Sequence, residues 1–186
     1  MAHRVCPWWL GYFLASPIRR WIGQDPVKIV SPYVREGMTV LEPGPGMGFF
    51  TLPLACFVGP SGRVIAVDLQ PKMIASLKRR ASQANLLDRI DARVTSADTM
   101  AITDLDGKVD FTLAFAIVHE FPDAGRFFVE VARASKPGAL VLLAEPNGHV
   151  DNTAFAAELL AAAAVGFALK ERPSISRSHA ALLVKC

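Results

Sequence analysis

Glu42 stands two residues ahead of three alternating glycines, Gly44, Gly46 and Gly48, in the stretch T-V-L-E-P-G-P-G-M-G-F-F from Thr39 to Phe50. Glycine lets a turn visit φ > 0 and lets a ligand approach the main chain closely. Set between a strand and a helix, such a turn aims backbone N–H groups and a helix N-terminus at a nucleotide-like ligand. The bland alternative is a plain Gly/Pro-rich connection. Spacing narrows the ligand. The dinucleotide fingerprint G-x-G-x-x-G would need its third glycine at position 49, which is Phe49. The phosphate loop G-x-x-x-x-G-K-[ST] is absent. An acid beside the turn suits a ligand carrying positive charge better than a pyrophosphate.

Further candidates recur where strands should end. Asp68 closes R-V-I-A-V-D, 20 residues after Gly48 (68 − 48), and an acid there accepts both hydroxyl hydrogens of a ribose. Asp98 follows T-S-A and could accept from an adenine amino group. His119 and Glu120 follow the apolar run V-D-F-T-L-A-F-A-I-V. Histidine, with an ordinary pKa of about 6.5, suits proton transfer near neutrality. His119 is therefore the first candidate base, Glu120 the second and His149 the third. The competing reading of each acid is a helix cap or a solvated charge, and of His119 a packing residue with no proton role.

The elements that must position these residues alternate. Near-continuous apolar runs at Arg63–Asp68, Ile90–Thr95, Val109–Val118 and Ala139–Ala144 read as strands buried on both faces, as a parallel sheet requires. Between them lie helical segments. Phe49–Val58 is apolar all round, and Pro71 opens a helix with Met73, Ile74, Leu77 and Ala81 on one face. On that helix Lys72, Lys78, Arg79 and Arg80 read as a solvated face. Asp123 caps a helix through Phe127, Phe128, Val131 and Ala132, and Asp151 or Asn152 caps an alanine-rich one ending before Gly166. Lys136-Pro137-Gly138 reads as a turn. Phe167–Arg172 and Ala180–Lys185 are strands with no helix between them, so they should pair antiparallel. The result is α/β, an open parallel sheet with one reversed strand. Ligands of such sheets bind beyond the carboxyl ends of the strands, where each candidate residue lies.

The 186 residues fit one domain, with residues 1–36 preceding the fold proper. Hydrophobic residues make up 52% and mean hydropathy is +0.31, which argues against disorder. A net charge of +3 is well short of a dedicated nucleic-acid binder. Cys6, Cys56 and Cys186 have no zinc spacing and an odd count, so neither a metal site nor a disulfide framework is expected, and a reducing cytoplasm is the simplest setting. No run reaches the ~20 apolar residues of a membrane span. The aromatic segment Pro7 to Leu14, with Arg19, Arg20 and Trp21 after it, reads as a helical cap packed on the sheet or over the cleft. Its sharper reading is contact through residues 1–22 with a membrane surface or an apolar substrate. A second short helix is expected over Val27–Val30.

The motifs V-L-E-P-G-P-G-M-G, V-I-A-V-D, T-S-A-D and A-S-K-P-G-A-L-V-L-L-A-E-P together resemble the class I S-adenosylmethionine-dependent methyltransferases, over roughly residues 38 to 186. H-E-F-P-D after the fourth strand is most similar to the small-molecule or ubiquinone/menaquinone-biosynthesis-like group. The resemblance implies a Rossmann-like, doubly wound sheet of seven strands in the order 3-2-1-4-5-7-6, the seventh antiparallel. It implies S-adenosylmethionine as cofactor, a ligand with a sulfonium and an ammonium and no phosphate. By the resemblance, main chain around Gly44, Gly46 and Gly48 holds the methionine part and Glu42 orients its ammonium. Asp68 takes the ribose hydroxyls and Leu69 packs on adenine. Asp98 takes the adenine amino group with Ala97 beside it, and Phe115 and Ala116 offer backbone to the methionine amino group. The expected reaction is in-line methyl transfer to a small-molecule acceptor, with a base needed only where the nucleophile must lose a proton. The fourth strand lacks [DNS]-P-P-[YF], which argues against base and glutamine acceptors, and the cysteines of an arsenite methyltransferase are missing. The insertions are short, leaving the site open or closed by a second subunit, so a homodimer fits the reading. The alternatives are a catalytically idle nucleotide-binding module serving a protein partner, an NAD-dependent oxidoreductase, which Phe49 opposes, and a methyltransferase for a lipophilic, membrane-proximal substrate.

Overall fold

Alternation of side chains along a strand gives each strand two buried faces to fill, and this chain fills both. A computed structural model describes residues 24–186. Its strands are β1 (Thr39–Pro43), β2 (Arg63–Asp68), β3 (Ile90–Val94), β4 (Val109–Phe115), β5 (Ser135–Pro146), β6 (Phe167–Glu171) and β7 (Ser178–Lys185). They form one sheet in the order β3-β2-β1-β4-β5-β7-β6. The first five pair parallel, and β7 runs antiparallel to both β5 and β6. The order and the reversed strand are those expected. The chain winds outward one way from β1 through β2 and β3 and the other way from β4, so the switch point lies between β1 and β4.

Helices α1 (Pro26–Val30), α2 (Thr51–Val58) and α3 (Pro71–Gln83) cover one face. They bury Val30, Leu54 and Leu77 against Val40, Phe111 and Leu142. Helices α4 (Ala124–Ala134) and α5 (Asn152–Ala164) cover the other, burying Phe127, Phe128 and Phe155 against Leu41, Val141 and Leu143. The expected caps form. Asp123 accepts from the Gly125 N–H at 2.7 Å and Asp151 from Ala154 at 2.8 Å. Val30 and Val34 join the first core. The rest of the expected N-terminal cap, with its aromatic segment and the contact assigned to residues 1–22, lies outside the described residues. No helix among the described residues is long and apolar enough to cross a membrane.

Four local expectations need correction. Helix α2 starts at Thr51 rather than Phe49, because residues 46–50 continue the glycine turn. Strand β5 starts at Ser135 and runs through Lys136-Pro137-Gly138, read above as a turn. A register shift against β4 between Val109 and Phe111, with Gly138 at φ +76, bends the strand there and accommodates the proline. The fourth strand ends at Phe115 rather than Val118, because Ala116 turns the chain at φ +55 and Val118–Glu120 makes one 3₁₀ turn. Lys72, Lys78 and Arg79 are exposed as expected, but Arg80 is half-buried and its guanidinium donates to the Met47 carbonyl inside the glycine turn.

Candidate functional site

The carboxyl edge of the sheet gathers the candidate residues from separate elements. Glu42, near the end of β1, is only 3% exposed and its Oε2 has no hydrogen-bond partner. Burial pushes its pKa up to about 8, the Thr51 hydroxyl pulls it back, and the nearby Asp68 charge adds to the rise. Asp68 ends β2, level with β3, and its Oδ1 accepts from the Gln70 N–H at 2.8 Å. Burial raises its pKa too, against the pull of the Gln70 and Gly46 N–H groups. Glu42 and Asp68 thus lie near enough at the start of the glycine turn for one charge to act on the other.

The turn is held from three sides. Gly44 donates its N–H to the Val67 carbonyl at 2.9 Å. Gly44 has φ +67, and a Cβ there would stand 2.5 Å from the Ile117 Cδ1, so the turn and the segment after β4 touch at this point. Gly46, φ +55, has nothing within 4 Å of where a Cβ would be, which is the open side of the turn. Gly48 faces inward instead, where a Cβ would meet Leu77 of α3 at 2.6 Å. On the far side Arg80 grips Met47.

Leu69, after Asp68, is 36% exposed and offers an apolar surface beside the acid. Ala97 and Asp98 are exposed and border a recess with Phe121 and Arg126. Arg126 holds the Asp98 carbonyl at 2.7 Å, which leaves the carboxylate outside that bond. At the end of β4, Phe115 packs on Phe50 with ring centroids 4.6 Å apart. Ala116 sits at φ +55, a costly conformation for alanine. Its N–H donates to Ala144 at 2.7 Å, so the group it has left for a ligand is its carbonyl, which is what an ammonium needs.

The 3₁₀ turn carries His119 and Glu120. His119 Nδ1 is hydrogen-bonded to Oε2 of Glu145, and its ring stacks on His149 at 5.7 Å. Burial lowers the His119 pKa, but the Glu145 hydrogen bond and the charges of Glu145, Glu120 and Glu158 outweigh it, and the net shift is upward. Glu145 has no solvent exposure, and its Oε1 accepts from Val118 at 2.7 Å and from Ile117 at 3.2 Å. Glu158 of α5 is also buried, with Oε2 unpartnered. Burial first, then the Glu145 charge, push its pKa up to about 8.

Sequence reasoning missed Glu145, Glu158, Ile117 and Arg80. Glu145 carried a usable signal, an acid terminating an apolar strand as Glu42 and Asp68 do. Glu158 and Arg80 carried none, because the groups near them, Glu145 and His119 for one and the Met47 carbonyl for the other, are distant in sequence. Among the described residues no cluster of histidine, cysteine and carboxylate could hold a metal. A cationic nucleoside does fit. An orphaned buried carboxylate, a glycine turn with an open side and a strand-terminal aspartate lie together on one edge.

Comparison with known proteins agrees. A family model described as a methyltransferase domain matches residues 40–138. The chain is 29% identical over 109 residues to an arsenite methyltransferase of Halobacterium salinarum, covering 59% of this chain and 27% of that one. It is 31% identical over 121 residues to a ubiquinone biosynthesis O-methyltransferase of Rhodopseudomonas palustris, covering 65% and 44%. The chain therefore spans less than half the length of these relatives. A SAM-dependent methyltransferase structure from Aquifex aeolicus superposes with a TM-score of 0.83 at 23% identity, over 97% of this chain and 98% of that one. At that identity the match speaks for the fold. With a family model matching more than half of its length, the chain belongs to the methyltransferase domain family.

Proposed function

We propose that this chain binds S-adenosylmethionine along the ends of β1, β2 and β4 and transfers its methyl group to a small-molecule acceptor. The observation that carries the reading is Glu42, a buried carboxylate with an unpartnered oxygen beside the glycine turn. A buried polar atom without a partner is costly, and the ammonium of the ligand supplies the missing partner. Main chain at Gly44 and Gly46 lines the methionine part, and Gly48 packs the turn on α3. Asp68 accepts from the ribose hydroxyls. Leu69 and Ala97 flank adenine, and Asp98 accepts from its amino group. The carbonyl side of Phe115 and Ala116 closes on the methionine ammonium.

The bound cofactor supplies a methyl group already activated on a sulfonium, whose carbon–sulfur electron pair stays with sulfur as the acceptor bonds to the methyl carbon. The chain's own work is then mostly positioning and exclusion of water. His119 takes the acceptor proton where there is one to lose, and Glu120 is the reserve candidate. A small acceptor is supported by the relatives, whose names refer to arsenite and to ubiquinone biosynthesis. We place the protein in the cytoplasm, a reading supported by the exposed free thiols of Cys56 and Cys186. Contact of residues 1–22 with an apolar surface, and a homodimer closing the cleft, complete the proposal.

Thermal unfolding tests the ligand class. S-adenosylmethionine and S-adenosylhomocysteine at 100 times Kd should stabilise the protein by about 2.7 kcal/mol, and NAD should not. Stabilisation by NAD alone would replace this reading with an oxidoreductase.

A further inference from the structure

His119 does not sit free at the end of β4. Its Nδ1 is bonded to Glu145, a side chain with no exposure, whose other oxygen accepts two main-chain N–H groups. An ionised carboxylate only accepts, so the proton in the His119–Glu145 bond belongs to Nδ1. The lone pair of the neutral ring is then on Nε2. The His119 side chain is 24% exposed while Glu145 is 0% exposed, so the ring, unlike its carboxylate partner, reaches the surface.

Two features place this pair in register with the cofactor turn. The N–H groups that hold Glu145 are those of Ile117 and Val118. Ile117 is also the side chain packed against Gly44. Glu145 thus fixes the segment that bears the base and the residue that touches the turn together. We propose that Glu145 is the positioning residue of His119, holding the ring as the Nδ1–H tautomer so that Nε2 receives a proton from the acceptor. The proposal rests on the methyltransferase reading for its role but not for its geometry. The proton passes from the acceptor atom to Nε2 as the new bond to the methyl carbon forms, and later leaves to solvent.

The surroundings fit that task. The groups facing the pair are Glu120 on the same turn, His149 stacked from the loop after β5, and Glu158 from α5. Glu158 is buried and unpartnered, and its pKa of about 8 leaves it neutral near pH 7. Of the two buried carboxyls, Glu145 is the one bonded to the ring and held by main-chain donors.

Nitrogen-15 spectra of the imidazoles in the full chain test this without an acceptor. His119→Asn assigns the resonance. In wild type, neutral His119 should carry its proton on Nδ1 and titrate above the ordinary 6.5. Glu145→Gln should mix the tautomers and lower the midpoint. An Nε2–H tautomer in wild type would overturn the proposal, as would an unchanged midpoint in folded Glu145→Gln. If that variant does not fold, the wild-type tautomer decides alone. Failure of wild type to bind S-adenosylmethionine would instead remove the methyltransferase reading and leave the tautomer result standing.

Discussion

Ile117 Cδ1 occupies the space that a Cβ on Gly44 would need, 2.5 Å from its position. The glycine turn after β1 and the segment after β4 therefore close on each other through one glycine and one isoleucine. Gly44→Ala must both adopt φ +67 and displace Ile117. The expected loss is about 1–3 kcal/mol from the left-handed backbone alone, read by urea unfolding, together with weaker cofactor binding. Ile117→Ala relieves the clash but not the backbone, so the double variant should recover only part of the stability.

Glu42 makes cofactor binding depend on protons. Its pKa near 8 keeps it protonated at neutrality in the free protein. An ammonium beside it favours the ionised form. Binding should release roughly one proton at pH 7, and affinity should rise with pH up to about 8. Calorimetry in buffers of different ionisation enthalpy measures the proton directly. Glu42→Gln should bind more weakly and release none. Equal proton release by the variant would remove Glu42 from the account.

Arg80 braces the glycine turn through the Met47 carbonyl. Losing a half-buried charged hydrogen bond of this kind costs about 1.5–3 kcal/mol. Arg80→Ala should lower unfolding stability by that order and weaken cofactor affinity several-fold. Arg79→Ala, one residue away on the exposed side of α3, should stay within about 0.5 kcal/mol of wild type.

Stability should fall as pH rises from 5 to 8.5. Glu42 and Glu158 both have folded pKa values near 8, above their unfolded values. Between those values the folded state holds protons that the unfolded state has released, so raising pH favours unfolding. The raised His119 pKa acts in the same direction, its stabilisation being complete at low pH and lost as pH passes its folded value. The apparent Tm should fall by at least about 2–4 °C across this range, the change that ~1 kcal/mol produces in a domain of this size. Glu158→Gln should flatten the curve. A Tm that rises with pH would contradict the burial of these carboxyls.

The site was partly legible in the sequence because its residues end strands. Glu42 and Asp68 follow apolar runs, and a strand end in an α/β sheet is a site by topology. Glu145 obeys the same rule but was not singled out, because its partners arrive from the segment after β4, 26 to 28 residues earlier. Arg80 looked solvated because helical periodicity reports a helix's own faces and not the turn packed against its flank. The antiparallel end of the sheet followed from the missing crossover between β6 and β7. The strand order did not follow from periodicity, and only the family resemblance supplied it. Lys136-Pro137-Gly138 has the composition of a turn, yet a bulge keeps it in β5, since bulges depend on register with a neighbour rather than on local composition.

Calorimetric titration of wild type and Asp68→Ala with S-adenosylmethionine and S-adenosylhomocysteine tests the central claim most directly. The account predicts wild-type affinity on the order of micromolar, about −8 kcal/mol. Asp68→Ala should lose a factor of roughly 10–100, the worth of one or two hydrogen bonds to a charged group. Folded wild type that binds neither ligand, or an Asp68→Ala variant that binds as tightly as wild type, would contradict it.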